Sequence, residues 1–330
     1  MKITVKELKK LTSQALKNSG YNAGEIQIMT DVLLYAQLRG NNQGVVKLSG
    51  QGMPRNPNAG EIKIVKETPI SARVDGSQNH AMVVMGKALT VAIEKAKKSG
   101  FGIVGTFNTS TSSGAVGYYA SRIAQEKLIG FVFGRSPERV AMYGSYEPVF
   151  GTNPIAIAIP AEPSPIVLDM STAAISFFGL VEARTAGKQI PDDLTYDAEG
   201  CPTADPASAI QGAIRSFDRS YKGSGLGMMA EILAGPLVGA AFAGIGNSKQ
   251  NWGHLILAID PDLLGDRIEF IENVSQMIEK IKAAKKLPGV KEIFVPGERG
   301  AQLFRQCQQS GEIDIEENLL QGLRIAAKGK

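Results

Sequence analysis

The chain has 330 residues, 43% of them apolar and 21% charged, which suits a globular protein of one large or two ordinary domains with an ample core. Thirty-six Lys and Arg stand against 32 Asp and Glu, and a net charge of +4 over this length is no footprint for nucleic acid. With only Cys201 and Cys307 as cysteines and His80 and His254 as histidines, the chain offers no disulfide framework, no zinc spacing and no His-rich metal site.

The predicted elements begin with a helix. Leu8, Leu11, Ala15 and Leu16 recur at three- and four-residue spacing up to Gly20. Asn22 and Glu25 read as a capping box for a second helix running through Ile28, Val32, Leu33 and Ala36 to Gly40. Residues 41–44 form a polar loop, and the Gly- and Pro-rich stretch 49–60 an irregular connection. The N-terminus is charged, and no signal peptide is expected there. A helix over 81–98 ends at Gly100, a short strand at 102–104 leads into the polar run Thr106–Ser113, and a helix follows over 114–127. Apolar runs at 129–133, 155–159 and 165–168 predict strands buried on both faces. Then come an apolar helix at about 225–243, a strand at 255–259, an amphipathic helix at about 265–286, a strand at 292–295 and two terminal helices. The apolar run Ile232–Ile245 is interrupted by Gly235, Pro236, Gly239 and Gly244, so no membrane span is expected and the cytoplasm is the expected compartment.

Several segments could carry chemistry, and each has a structural alternative. The glycine-rich stretch Ser220–Leu226 places Lys222 and Gly223 at the start of an apolar helix, either as an anion cradle or as an ordinary turn with a solvated lysine. Its Gly223-Ser224-Gly225-Leu226-Gly227 lacks the spacing of a dinucleotide fingerprint and follows no apolar strand, so a Rossmann half is not expected. Asp169 ends a buried strand and precedes Ser171 and Thr172, as a site residue or as a helix cap. Gly151-Thr152-Asn153-Pro154 reads as a turn, and Pro296-Gly297-Glu298-Arg299 as a turn opening a helix. His254 reads as a structural histidine and His80 as a solvated one in a polar turn.

Together and in this order, LRGNNQGVVKL (38–48), SSGAVGYYA (112–120), GTNPIAIAIP (151–160), IVLDMST (166–172), YKGSGLGMM (221–229), NWGHLILAIDPDL (251–263) and PGER (296–299) resemble the malate/L-lactate dehydrogenase family. This is the sulfolactate-dehydrogenase-like family, which includes ureidoglycolate dehydrogenase, diketogulonate reductase and piperideine-2-carboxylate reductase. The resemblance implies a mixed α/β (α+β) protein with a non-Rossmann nicotinamide-binding fold: a mostly helical domain from both chain ends (1–75 with 289–330) and a central α/β domain (76–288). It further implies a homodimer, NAD or NADP as cofactor, and hydride transfer to or from a small 2-oxo or 2-hydroxy acid or a cyclic imino acid. By motif, the cofactor contacts would be Ser136, Asp169, Met170, Ser171, Thr172, Lys222, Gly223, Pro296, Gly297 and Glu298.

The catalytic positions depart from the family pattern. Its first loop reads Arg-Gly-x-Asp-Ser-His-Gly-Val, whereas Arg39–Val45 is one residue shorter and has Gln43 where the acid/base histidine stands. Ser112 replaces a second histidine, and Lys47 an arginine expected to hold the substrate carboxylate. A carboxamide exchanges no proton near neutral pH, so Gln43 is no general acid. A cofactor-binding protein without dehydrogenase activity is therefore the alternative function.

Overall fold

The computed structural model describes residues 1–49 and 52–329. In chain order the strands are β1 (Lys2–Thr4), β2 (Lys63–Glu67), β3 (Ser71–Asp75), β4 (Phe101–Thr109), β5 (Ile129–Gly134), β6 (Val140–Ala141), β7 (Pro148–Phe150), β8 (Ile155–Ile159), β9 (Ile166–Met170), β10 (Thr195–Tyr196), β11 (Ala213–Ile214), β12 (Trp252–Ile259) and β13 (Glu312–Asp314). The α-helices are α1 (Val5–Asn18), α2 (Ala23–Gln37), α3 (Ala81–Ser99), α4 (Val116–Gln125), α5 (Phe177–Thr185), α6 (Pro206–Gln211), α7 (Tyr221–Ala234), α8 (Arg267–Lys282), α9 (Glu298–Ser310) and α10 (Glu317–Lys328).

A seven-stranded sheet in the order β2-β3-β4-β12-β5-β8-β9 forms the centre. Only β3 and β4 pair in parallel; the other neighbours are antiparallel, so this is no Rossmann sheet. Alternation along the strands sorts its two faces. Val104, Val132 and Ile256 pack in the core shared with α3 and α4, while Ile103, Phe133 and Leu257 join Val238, Ala240 and Leu255 on the side of α7. The chain ends meet as expected. β1 pairs antiparallel with β13, and α1 packs on α10, burying Leu8 and Leu16 with Leu319, Leu320 and Leu323.

The two leading helices form where the sequence places them, and Asn22 and Glu25 close the capping box on α2. Other expectations need correction. Residues 63–75, grouped above with the helical part, form β2 and β3, and the division at 75/76 cuts β3 from its partner β4. One continuous core also runs from α1 to the sheet. The part with a separate core is instead a small four-stranded sheet, β10-β11-β6-β7, packed with α5 and α6 around Leu180, Ile190 and Ile214. β4 runs on through the polar residues to Thr109, because Thr106 and Thr109 bury their hydroxyls against His254 Nδ1 (3.0 Å) and the Trp252 carbonyl (3.2 Å). β9 is an edge strand, half-buried along its length rather than covered on both faces. The apolar helix spans 221–234 and stops at Gly235-Pro236, where proline cannot continue the ladder. No strand forms over 292–295: Glu298 takes the Val295 amide, and the chain touches the sheet edge through one backbone bond, Val167 N–H to Pro296 O (3.2 Å).

Candidate active site

Lys47 lies on a short 3₁₀ turn, Val45–Leu48, wedged against α5. Its ammonium is buried, donates to Ser112 Oγ at 2.9 Å and sits 3.2 Å from the centre of the Phe178 ring. Among the described residues no carboxylate pairs with it. Burial holds its pKa well below that of an ordinary lysine. Two of the three residues expected to face the substrate are thus in direct contact, and the third stands in the adjoining loop. Gln43 donates through Nε2 to Asn42 Oδ1 at 3.3 Å, and Asn42 Oδ1 also accepts from Ser176 Oγ at 2.9 Å. Ser176 is the N-cap of α5, so the loop is pinned to the helix that carries Phe178.

His80 corrects its sequence reading. It is 5% exposed and caps α3, its Nδ1 accepting from Met82 N–H at 3.2 Å. The ring packs edge-on to Tyr21 at 6.0 Å, and Nε2 is buried without a partner among the described residues. Burial and the nearby Lys47 charge push its pKa down to about 3, so it is neutral. Thr111 receives the Ala81 amide at 3.1 Å, tying the start of α3 to the segment that carries Ser112. His254 is structural, as expected: buried, bonded to Thr106 and lowered by burial to about 3.

The expected cofactor residues form a band along β9. Asp169 lies on the strand and caps no following helix; its carboxyl stands beside Gly117 in the first turn of α4, where a Cβ would come within 2.7 Å of it. Burial raises its pKa to about 6, with the Gly117 amide opposing. Ser171 Oγ donates to Thr152 O at 2.8 Å, and Thr172 Oγ1 to Asn153 O at 3.1 Å, which locks 171–172 onto the Gly151–Pro154 loop. Pro296 and Gly297 press against Val167 on the outer edge of the same strand. The carboxylate of Glu298 is held by Lys282 and the Val295 amide. On the other side, Gly227 of α7 abuts Thr172. At the start of α7, the Gly223 amide is already taken by Asp218 at 3.1 Å, which leaves an exposed Lys222 as the feature free to meet an anion. Met170 ends β9 beside Asp169.

Sequence reasoning missed Asn153. It is fully buried, and its Nδ2 donates to Glu231 Oε2 (2.7 Å) and Gly227 O (3.1 Å), leaving Oδ1 without a partner among the described residues. Gly151 packs tightly between it and Ser136: a Cβ there would stand 2.3 Å from the Ser136 carbonyl oxygen, 2.5 Å from Ser136 Oγ and 2.7 Å from Asn153 Oδ1.

Residues 3–324 match the malate/L-lactate dehydrogenase family. The chain is 34% identical to L-sulfolactate dehydrogenase of Methanothermobacter thermautotrophicus, over 97% of this chain and 95% of that one. It is 33% identical to the Delta(1)-pyrroline-2-carboxylate/Delta(1)-piperideine-2-carboxylate reductase of Pseudomonas putida, over 76% and 74%. Malate dehydrogenase of Pyrococcus horikoshii superposes with a TM-score of 0.87 at 29% identity, covering 99% of this chain and 95% of that one. The chain is therefore an oxidoreductase that belongs to the malate/L-lactate dehydrogenase family.

Proposed function

We propose that this chain transfers a hydride between a nicotinamide dinucleotide and a small carboxylate-bearing substrate, a 2-oxo or 2-hydroxy acid or a cyclic imino acid. The observation that carries this reading is Lys47. A buried ammonium without a counter-ion is costly, and an anionic substrate supplies the missing partner. Ser112 steadies the ammonium, and Phe178 covers it from water.

The band along β9 supports a dinucleotide. The half-buried Ser136 offers a hydroxyl, and the exposed Lys222 offers a charge to a phosphate. A cleft lined by Tyr143, Arg215, Arg219 and Ser224 opens at the same end of α7, and Arg219 Nε is buried there without a partner. When bound, the cofactor supplies or accepts the hydride; the chain's own residues orient the acid and exclude water.

Gln43 favours an imine over a ketone. A ketone must gain a proton at oxygen as it is reduced, and no histidine stands at this position. A protonated imine already carries its proton on nitrogen. Tyr118 makes a poor substitute donor, since it packs edge-on to Tyr35 and Tyr119, and burial raises its pKa. The same absence favours the second reading, a family member that binds cofactor without turning it over.

Oxidation of NADH and of NADPH, followed by absorbance with a panel of 2-oxo acids and cyclic imino acids, separates these readings. Turnover is expected to be faster with the imino acids. No oxidation with any substrate, while cofactor still binds, would leave the second reading. Lys222→Ala should weaken cofactor binding about tenfold in a fluorescence titration.

A further inference from the structure

We infer that His80, through Nε2–H, is a second anchor for the substrate's carboxylate, opposite the Lys47 ammonium. This rests on the site proposed above and extends it to a residue outside its motifs.

The tautomer follows from the hydrogen bonding. Nδ1 accepts the Met82 amide proton, so in the neutral ring the proton is on Nε2. Nε2–H is then a donor, buried with the rest of the ring and without an acceptor among the described residues. Buried donors are seldom left unmet, and each exception calls for an explanation. The surroundings supply one. Lys47 is near enough for its charge to act on the ring, and the Ala81–Thr111 bond fastens the residue after His80 to the residue before Ser112. The Lys47 ammonium, the Ser112 hydroxyl it bonds and the start of α3 that His80 caps are thus tied into one donor-bearing cluster, at the N-terminal end of a 19-residue helix whose dipole adds positive potential. A cluster with a cation and donors, in which no carboxylate among the described residues pairs with Lys47, suits an anion with two oxygens. One oxygen would pair with Lys47 and the other with His80, restoring the two-point hold that a lysine alone lacks.

Two substitutions separate the ring's two nitrogens. His80→Asn places a carboxamide oxygen near Nδ1, which preserves the cap on Met82, and removes the Nε2 donor. His80→Gln extends an amide donor toward the position of Nε2 and gives up the cap. The probe is oxalate, a dicarboxylate that cannot be reduced, titrated calorimetrically into the full-length protein. Oxalate affinity is expected to fall about ten- to a hundredfold in His80→Asn with an unchanged melting temperature. In His80→Gln the melting temperature should fall while oxalate affinity stays within a few-fold of wild type. Unchanged oxalate affinity in His80→Asn, or no oxalate binding by the wild type, would overturn the inference. The substrate panel is read separately. Turnover that His80→Asn leaves unaltered in KM removes His80 and keeps the proposed function; weakened oxalate binding without hydride transfer by the wild type keeps His80 and removes that function.

Discussion

Lys47→Met keeps an unbranched stem over Phe178 and deletes the charge. Replacing an uncompensated buried charge with an apolar side chain stabilises by about 1–3 kcal/mol, so the variant should melt higher while KM for an acid substrate rises at least about a hundredfold. The sign of the pH dependence follows from the lowered pKa. Between that value and about 10.4 the unfolded chain binds more protons at Lys47, so wild-type stability rises with pH across that window and the variant loses this slope. Asp169 behaves differently. Its pKa is raised from 3.8 to about 6, so its contribution to stability is fully present below 3.8 and is lost as pH rises through 6. Asp169→Asn should therefore be more stable than wild type by about 1–3 kcal/mol in urea titrations at pH 8 and equal to it near pH 3.5, while its cofactor affinity falls. At this scale the site was legible only in part. Lys47 and Ser112 could be placed by motif, whereas their mutual contact could not. His80 was misread because the polar residues around it suggest solvent, whereas Tyr21 and the start of α3 bury it. Asn153 was passed over because an Asn-Pro turn explains its presence without the Glu231 network that fixes its amide.

Elements were legible where periodicity and caps agree, as in α1, α2 and α3, and illegible where pairing between distant segments decides. The two-residue strands β6, β10 and β11 have no pattern of their own and exist only through their partners. The short strand expected at 102–104 proved longer because polar side chains in β4 are satisfied within the sheet. Gly102 shows how tightly that strand is held. A Cβ there would stand 2.1 Å from the Ala92 carbonyl oxygen of α3, which is backbone and cannot swing away. Gly102→Ala should push β4 and α3 apart and cost about 1–3 kcal/mol or more, read as a lower denaturation midpoint with an unchanged slope.

The whole molecule carries an apolar face that a lone chain would leave wet. α7 exposes Tyr221, Leu226, Met228, Met229 and Ile232, and Leu237 follows just beyond it. A helix that exposes this many large apolar side chains suits an interface, and the homodimer that the family resemblance implies would cover this face with a second copy. Leu226→Glu combined with Met229→Glu should reduce the mass measured by light scattering from that of two chains to that of one. A single-chain mass for the wild type would remove the dimer.

The pairing of β1 with β13 and of α1 with α10 also sets an order of events during synthesis. The first helix leaves the ribosome more than 300 residues before the segment that covers it. At about 5–20 residues per second, the apolar stripe of α1 stays uncovered for roughly a quarter of a minute to a minute. The central sheet, whose strands are complete by Ile259, can assemble in that interval, whereas the helical cap closes only once β13 and α10 have been made. Nascent chains stalled before residue 312 should accordingly protect the sheet from protease and leave α1 open to cleavage and to chaperones.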